Sequence, residues 1–133
     1  MKTHQDEWDD ETIALSAYPD DNPKTQLGEA KPKISDTPPL AILQLGQVMS
    51  MGAKKYGAFN WREKRVSSTV YYDAAFRHLS AWFEGEDVDQ ESGLHHLGHV
   101  MACMAILIDA EANGKLNDNR PAVTMALGGE LGE

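Results

Sequence analysis

The sequence has little cysteine and no long apolar run, and both absences narrow the class of protein. Cys103 is the single cysteine among 133 residues, which excludes a disulfide framework and a cysteine-based zinc module. No apolar stretch approaches the roughly 20 residues that a transmembrane helix needs. The acidic N-terminus also lacks the apolar segment of a signal peptide. We therefore expect a cytoplasmic protein that has no membrane partner.

The net charge of -9 is concentrated at the two ends of the chain. Residues 1–22 contain seven acidic residues and one lysine, whereas residues 23–108 contain nine residues of each sign. The overall acidity argues against long nucleic acid as a partner, because phosphate backbones need clustered Lys and Arg. Within the neutral middle, five bases fall between 54 and 65, and five acids fall between 84 and 91. A basic segment followed by an acidic one is typical of a site for an anionic ligand and a divalent cation. It is equally typical of two solvated loops of opposite charge.

The spacing of apolar residues is helical throughout the middle of the chain. It predicts helices over 39–56 and 69–83, and a third helix that Asp89 or Ser92 caps and that ends at Asn113-Gly114. The third helix is apolar over more than half of its circumference, which indicates burial on two sides. We expect an all-α fold of three principal helices in a compact bundle, completed by homo-oligomerisation. The predicted parts of the chain are an extended acidic arm, a helical ligand-binding domain and a flexible tail, at 1–34, 35–114 and 115–133.

Four of the five histidines fall within 22 residues. His96 and His99 are three residues apart on the predicted third helix, so their side chains share one face. His78 lies in the middle of the second helix and approaches them if the two helices pack antiparallel. With Asp87 or Glu91 from the connecting loop, these imidazoles predict a metal site that suits a transition metal, although acidic loops also bind Mg²⁺. The alternative is a group of hydrogen-bonded core histidines.

The acidic loop and the basic segment supply the other candidate residues. A carboxylate that is not engaged by metal can orient or deprotonate water, and the candidates are Asp87, Asp89 and Glu91. Cations that neutralise phosphate are expected at Lys54, Lys55 and Arg77. Contacts to a base or sugar are expected from Tyr56, Asn60 and Trp61. The structural alternatives are ion pairing or helix-end stabilisation for the cations and core packing for the aromatic residues.

Several segments together resemble a known family. They are Gly52-Ala-Lys-Lys-Tyr-Gly57, Asn60-Trp61, Ala75-Phe-Arg77-His78-Leu and the run from Glu86 to His99, preceded by Lys31-Pro32-Lys33. These segments resemble phage and prophage proteins described as the N-terminal domain of dATP/dGTP diphosphohydrolase. The resemblance covers about residues 30–112 and would place the protein in the host cytoplasm.

The family resemblance implies an activity on purine deoxynucleoside triphosphates. It suggests hydrolysis of dATP or dGTP to the monophosphate and pyrophosphate, and kinship with the all-α MazG-like pyrophosphohydrolases. Those enzymes hold Mg²⁺ with helix-borne carboxylates, and Mg²⁺ or Mn²⁺ is the cofactor that the kinship implies. This sequence has His96-x-x-His99 and Arg77-His78 where carboxylates would be expected, which is closer to the His and Asp sites of HD-type phosphohydrolases.

Two alternatives to an enzyme follow from the same residues. A phage protein of this size can keep a nucleotide pocket without catalysis, as a sequestering or host-interaction protein. The histidines can also serve only as hydrogen-bonding groups in an interaction domain. Metal content, nucleotide retention and release of pyrophosphate distinguish the three hypotheses.

Overall fold

The computed structural model describes residues 18–123 of the chain. The chain divides into two compact units, with the boundary between Pro38 and Pro39. The expectations for residues 1–17 and for the tail beyond 123 lie outside the described residues. No helix within the described part is long and apolar enough to cross a membrane.

Within its described residues, the first unit contains a short α-helix, α1, at Pro23–Glu29, and a 3-10 turn at Ile34–Asp36. Asn22 caps it, since its side chain accepts a hydrogen bond from the backbone N–H of Lys24 at 2.9 Å. Pro23 begins the helix because its fixed φ suits the first helical position. This helix lies within the segment expected to be an extended arm.

The second unit is built from three longer helices, which confirms the all-α prediction. Its elements in chain order are α2 at Pro39–Tyr56, a 3-10 turn at Asn60–Arg62, β1 at Val66–Ser67, α3 at Ser68–Phe83, α4 at His96–Ala112 and β2 at Leu116–Asn117. Helix α4 is central, since both α3 and α2 pack against it.

A short parallel pairing of β1 with β2 joins the start of α3 to the end of α4. Val66 pairs with Leu116, and Ser67 pairs with Asn117. Helices α3 and α4 therefore run antiparallel, as the histidine hypothesis required. Residues 116–117, expected in a flexible tail, are ordered by this pairing. The two strands have two residues each, too few to show an alternating sequence pattern.

Helix α4 begins later than expected. Asp89 or Ser92 was predicted to cap it, but the cap is His95, whose Nδ1 accepts from the backbone N–H of Leu97 at 3.0 Å. The cause is an antiparallel bridge between Val88 and His95, which keeps the preceding segment extended. The loop before α4 is therefore a structured turn.

The core lies at the end of the unit where β1 meets β2. Trp61, Val66 and Ala110 are buried there, and partly buried apolar side chains surround them, namely Met49, Tyr71, Ile106 and Leu116. At the other end of the α3–α4 pair, the buried side chains of α4 include His96 and His99. This arrangement separates the apolar core from a polar, histidine-lined end.

Candidate metal centre

Three potential metal ligands converge between α3, α4 and the loop that joins them. His78 comes from α3, His99 from the first turn of α4 and Asp89 from the loop. One ligand atom from each lies within 4.8 Å of the other two. Nε2 of His99 lies 3.7 Å from Oδ2 of Asp89, and the rings of His78 and His99 are stacked with centroids 4.1 Å apart. We call this group the His–Asp cluster.

The loop is folded so that Asp89 faces the helices. The backbone N–H of Asp89 donates to the carbonyl of Leu94 at 2.8 Å, and that of Gly93 donates back to the carbonyl of Asp89 at 2.7 Å. Gly93 has φ of 75°, a left-handed conformation that favours glycine. The backbone N–H of Ser92 donates to Oδ2 of Asp89 at 3.1 Å. This turn explains why the loop carboxylate in the cluster is Asp89.

His96 lies beside the cluster. Its Nδ1 is 2.8 Å from Nδ1 of His78, and its Nε2 is 2.6 Å from Oε1 of Glu86. The His96 side chain is only 4% exposed, whereas that of Glu86 is 44% exposed. The structure therefore brings His96 into contact with a cluster member, and it also gives both ring nitrogens a partner.

The electrostatics of the cluster favour the forms that bind metal. Burial, followed by the nearby charge of His99, lowers the pKa of His78 below its ordinary value. Burial also lowers the pKa of His99. Burial acts to raise the pKa of Asp89, but hydrogen bonds from Ser92 and Glu91 outweigh it, so this pKa is lowered. Neutral imidazoles and an ionised carboxylate are the forms that coordinate metal ions.

The donor set fits a divalent metal ion. Two imidazoles and one carboxylate on three segments suit Mn²⁺, Fe²⁺, Ni²⁺ or Zn²⁺ better than Mg²⁺, which prefers oxygen ligands. Among the described residues, this is the one group of three or more His, Cys, Asp or Glu side chains with metal-binding spacing.

The structure corrects the loop member of the predicted metal set. Asp87 is exposed and outside the cluster, and its carbonyl instead accepts from the backbone N–H of His96 at 2.9 Å. The reason is the turn at residues 89–94, in which the backbone N–H of Ser92 holds the carboxylate of Asp89 toward the helices. Glu91 is also exposed, and its charge acts on His99.

The predicted cations lie around the cluster. Lys54 and Ser92 line one open groove between α2 and the loop. The charge of Lys55 acts on His99, and the charge of Arg77 acts on His78. No ion pair between Arg77 and Asp73 is found in the described chain, although the two are four residues apart on α3.

The residues predicted to contact a base divide into two groups. Tyr56 and Asn60 border a cavity of about 150 Å³ that His99 also lines. Trp61 borders the same cavity but is 7% exposed, and its indole N–H donates to Oδ2 of Asp109 at 2.6 Å. The ring of Trp61 therefore packs in the core, and its contact with a base stays a prediction.

Three side chains that contact the predicted residues were missed from the sequence. Glu86 contacts His96, Ser92 lies 2.7 Å from Nε2 of His99, and Asp109 binds Trp61. Glu86 belonged to the acidic run that was already singled out, so its proximity to the histidines was a usable signal. Ser92 and Asp109 have no sequence signal, because their partners are set by the turn and by the packing of α4.

The fold and the cluster define an all-α protein with a candidate metal site at the junction of two helices. The chain belongs to the family described as dATP/dGTP diphosphohydrolase, N-terminal, whose family model matches residues 21–120. This confirms the resemblance to that family.

A curated relative carries the same description. The chain is 27% identical over 95 residues to a protein of Salmonella phage PMBT28 named dATP/dGTP diphosphohydrolase. The matched region covers 71% of this chain and 32% of the relative, so the chain spans about a third of that protein's length. No solved structure matches the chain. Kinship with MazG-like enzymes stays a prediction.

Proposed function

We propose that this chain is a metal-dependent phosphohydrolase of purine deoxynucleoside triphosphates, which produces the monophosphate and pyrophosphate. The observation that carries the proposal is the convergence of His78, Asp89 and His99 within 4.8 Å, with cations on the surrounding elements. The family description and the name of the phage relative support the substrate class.

The His–Asp cluster would hold the metal ion through His78, Asp89 and His99. A transition metal such as Mn²⁺ fits the imidazoles, and Mg²⁺ is the alternative that the family resemblance implies. A metal bound there polarises a phosphoryl oxygen and lowers the pKa of water.

The surrounding side chains supply the other functions of a phosphohydrolase. Lys54, Lys55 and Arg77 would neutralise the phosphate charge. Tyr56 and Asn60, which line the cavity that His99 also borders, would contact the nucleoside. The oxygen of a water molecule would bond to the α-phosphorus as the bond to the bridging oxygen breaks, releasing pyrophosphate. Glu91 is exposed and its charge acts on His99, so it would be the carboxylate that takes the proton of that water.

The test compares pyrophosphate release from dATP and dGTP by the wild type and by the His99→Gln variant, with Mn²⁺ or Mg²⁺. We expect the variant to lose at least about 100-fold of the activity, since even an outer partner of a metal ligand is worth about 10–100-fold. The matched control is His95→Asn, which removes an imidazole from the same segment and keeps a capping acceptor. Equal activity in His99→Gln and the wild type would contradict the proposal.

A second candidate function is a non-catalytic nucleotide-binding domain. The observation that favours it is the group of cations around the cluster, namely Lys54, Lys55 and Arg77, because they can hold a nucleotide whether or not it is cleaved. In that case the metal and the cations would retain a nucleotide without cleaving it. Wild-type protein that binds dATP with metal but releases no pyrophosphate would select this function over hydrolysis.

A further inference from the structure

The side chain of His96 joins an acidic residue to a proposed metal ligand. Its Nε2 lies 2.6 Å from Oε1 of Glu86, and its Nδ1 lies 2.8 Å from Nδ1 of His78. Both distances are those of hydrogen bonds. We call this chain of contacts the Glu86–His96–His78 relay.

The direction of each hydrogen bond follows from the carboxylate. An ionised carboxylate only accepts, so Nε2 of His96 must carry the proton that it donates to Glu86. A neutral imidazole with its proton on Nε2 has a lone pair on Nδ1. Two nitrogen lone pairs that face each other at 2.8 Å repel, so a proton must lie between His96 and His78. For a neutral His96 that donates from Nε2, that proton is the one on Nδ1 of His78.

We infer that Glu86 and His96 are positioning residues that fix His78 in the tautomer protonated at Nδ1. Nε2 of His78 is then the nitrogen with a free lone pair, and the described chain gives it no hydrogen-bond partner. Metal-bound histidines commonly donate their second ring nitrogen in this way, which sets both the tautomer and the orientation of the ring. The inference rests on the proposed metal site and names the groups that prepare it.

Substitution of Glu86 by glutamine should reverse the relay. The amide nitrogen of glutamine can donate to Nε2 of His96, and the proton of His96 then moves to Nδ1. His96 would donate to Nδ1 of His78, and His78 would carry its own proton on Nε2. The lone pair of His78 would then face His96 instead of a metal ion. Glu86 is 44% exposed, so this substitution leaves the core intact.

The experiment reads the tautomers directly. Nitrogen-15 shifts of the histidine rings are recorded on the metal-free full chain at about pH 8, where most imidazoles are neutral. We expect the Nδ1–H form of His78 in the wild type and its Nε2–H form in Glu86→Gln. Binding of Co²⁺, followed by its visible absorption, should weaken by about 10–100-fold in the variant. The matched control is Glu84→Gln, an exposed acid of the same loop, which should change neither readout.

The outcomes that overturn the inference are distinct from failure of the proposed function. An Nε2–H form of His78 in the wild type would overturn the relay, and so would a Glu86→Gln variant that keeps the wild-type tautomer and Co²⁺ affinity. A wild-type chain that binds no Co²⁺ would contradict the proposed metal site. The ring shifts of the metal-free protein would still decide on the relay in that case.

Discussion

At the scale of single residues, the carboxylate of Asp109 ties α4 to the 3-10 turn at Asn60–Arg62. Nε and Nη2 of Arg62 donate to the two carboxylate oxygens at 2.7 and 2.9 Å, and the indole N–H of Trp61 donates at 2.6 Å. These hydrogen bonds, with that of Arg62 contributing most, lower the pKa of Asp109 from 3.8 to about 2. Asp109 is thereby a structural residue that holds Trp61 in the core.

The lowered pKa of Asp109 predicts a defined loss of stability in acid. A carboxyl whose pKa is lower in the folded state than in the unfolded state stabilises the fold at pH values above its unfolded-state pKa. That contribution is lost as the pH falls toward its folded-state pKa. The free energy of unfolding should therefore decrease between about pH 4 and about pH 2. Asp109→Asn should be less stable than the wild type at neutral pH, and this difference should shrink across that window.

Urea denaturation at a series of pH values checks this prediction. The control is Asp73→Asn, which removes an exposed carboxylate from α3. A constant difference in unfolding free energy between wild type and Asp109→Asn from neutral pH to about pH 2 would contradict the assignment.

Part of the site could be predicted at this scale. The i,i+3 spacing of His96 and His99, and the place of His78 on the preceding helix, were sufficient to predict the histidine group. The sequence could not predict which of Asp87, Asp89 and Glu91 joins the histidines, because that depends on the turn closed by Gly93.

At the scale of elements, α2 and α4 approach each other closely at Gly98. A Cβ atom built at Gly98 would lie 3.2 Å from the carbonyl oxygen of Gln44 and 3.2 Å from a methyl group of Val48. Both are tighter than ordinary van der Waals contact, and the first involves backbone that moves only if α2 moves. Glycine at this position therefore sets the distance between the two helices, and with it the position of His99 one residue later.

Substitution of Gly98 tests this contact. Alanine gains up to about 1 kcal/mol of helix propensity over glycine, but overpacking a filled interface costs about 1–3 kcal/mol. We expect Gly98→Ala to lower the free energy of unfolding by about 1 kcal/mol. Gly46→Ala on α2, where nothing lies within 4 Å of the added Cβ, should raise stability instead.

Chemical denaturation of both variants measures the effect. Equal gains in the free energy of unfolding for Gly98→Ala and Gly46→Ala would show that α2 and α4 can separate freely, and would contradict the close contact at Gly98. The bounds of α2 and α3 were predictable from apolar periodicity. The start of α4 and the close approach at Gly98 were not, because the first depends on the bridge between Val88 and His95 and glycine carries no apolar signal.

At the scale of the whole molecule, apolar surface is abundant and the core is small. Among the described residues, no large side chain is fully buried. Four exposed apolar residues follow one another on α3 at spacings of four, three and four residues, namely Tyr72, Phe76, Leu79 and Phe83. This spacing is that of a coiled-coil seam.

The exposed seam on α3 predicts self-association through a second copy of the chain. Aromatic side chains bury about 150–250 Å² each, so pairing two seams removes roughly 1,000 Å² from water, the lower limit of a specific interface. We expect a dimer in sedimentation equilibrium, and a monomer for Phe76→Glu. Glu substitution at Val70, an exposed α3 residue outside the seam, is the control. A monomeric wild type at micromolar concentration would contradict this prediction.

The central claim is that His78, Asp89 and His99 form one metal site, and equilibrium dialysis of the metal-free chain against Mn²⁺ or Zn²⁺ tests it most directly. The account predicts one ion bound per wild-type chain and per His95→Asn chain, with at least about 100-fold weaker binding by Asp89→Asn and His99→Gln. Absence of metal from the wild type, or equal binding by all four proteins, would contradict it.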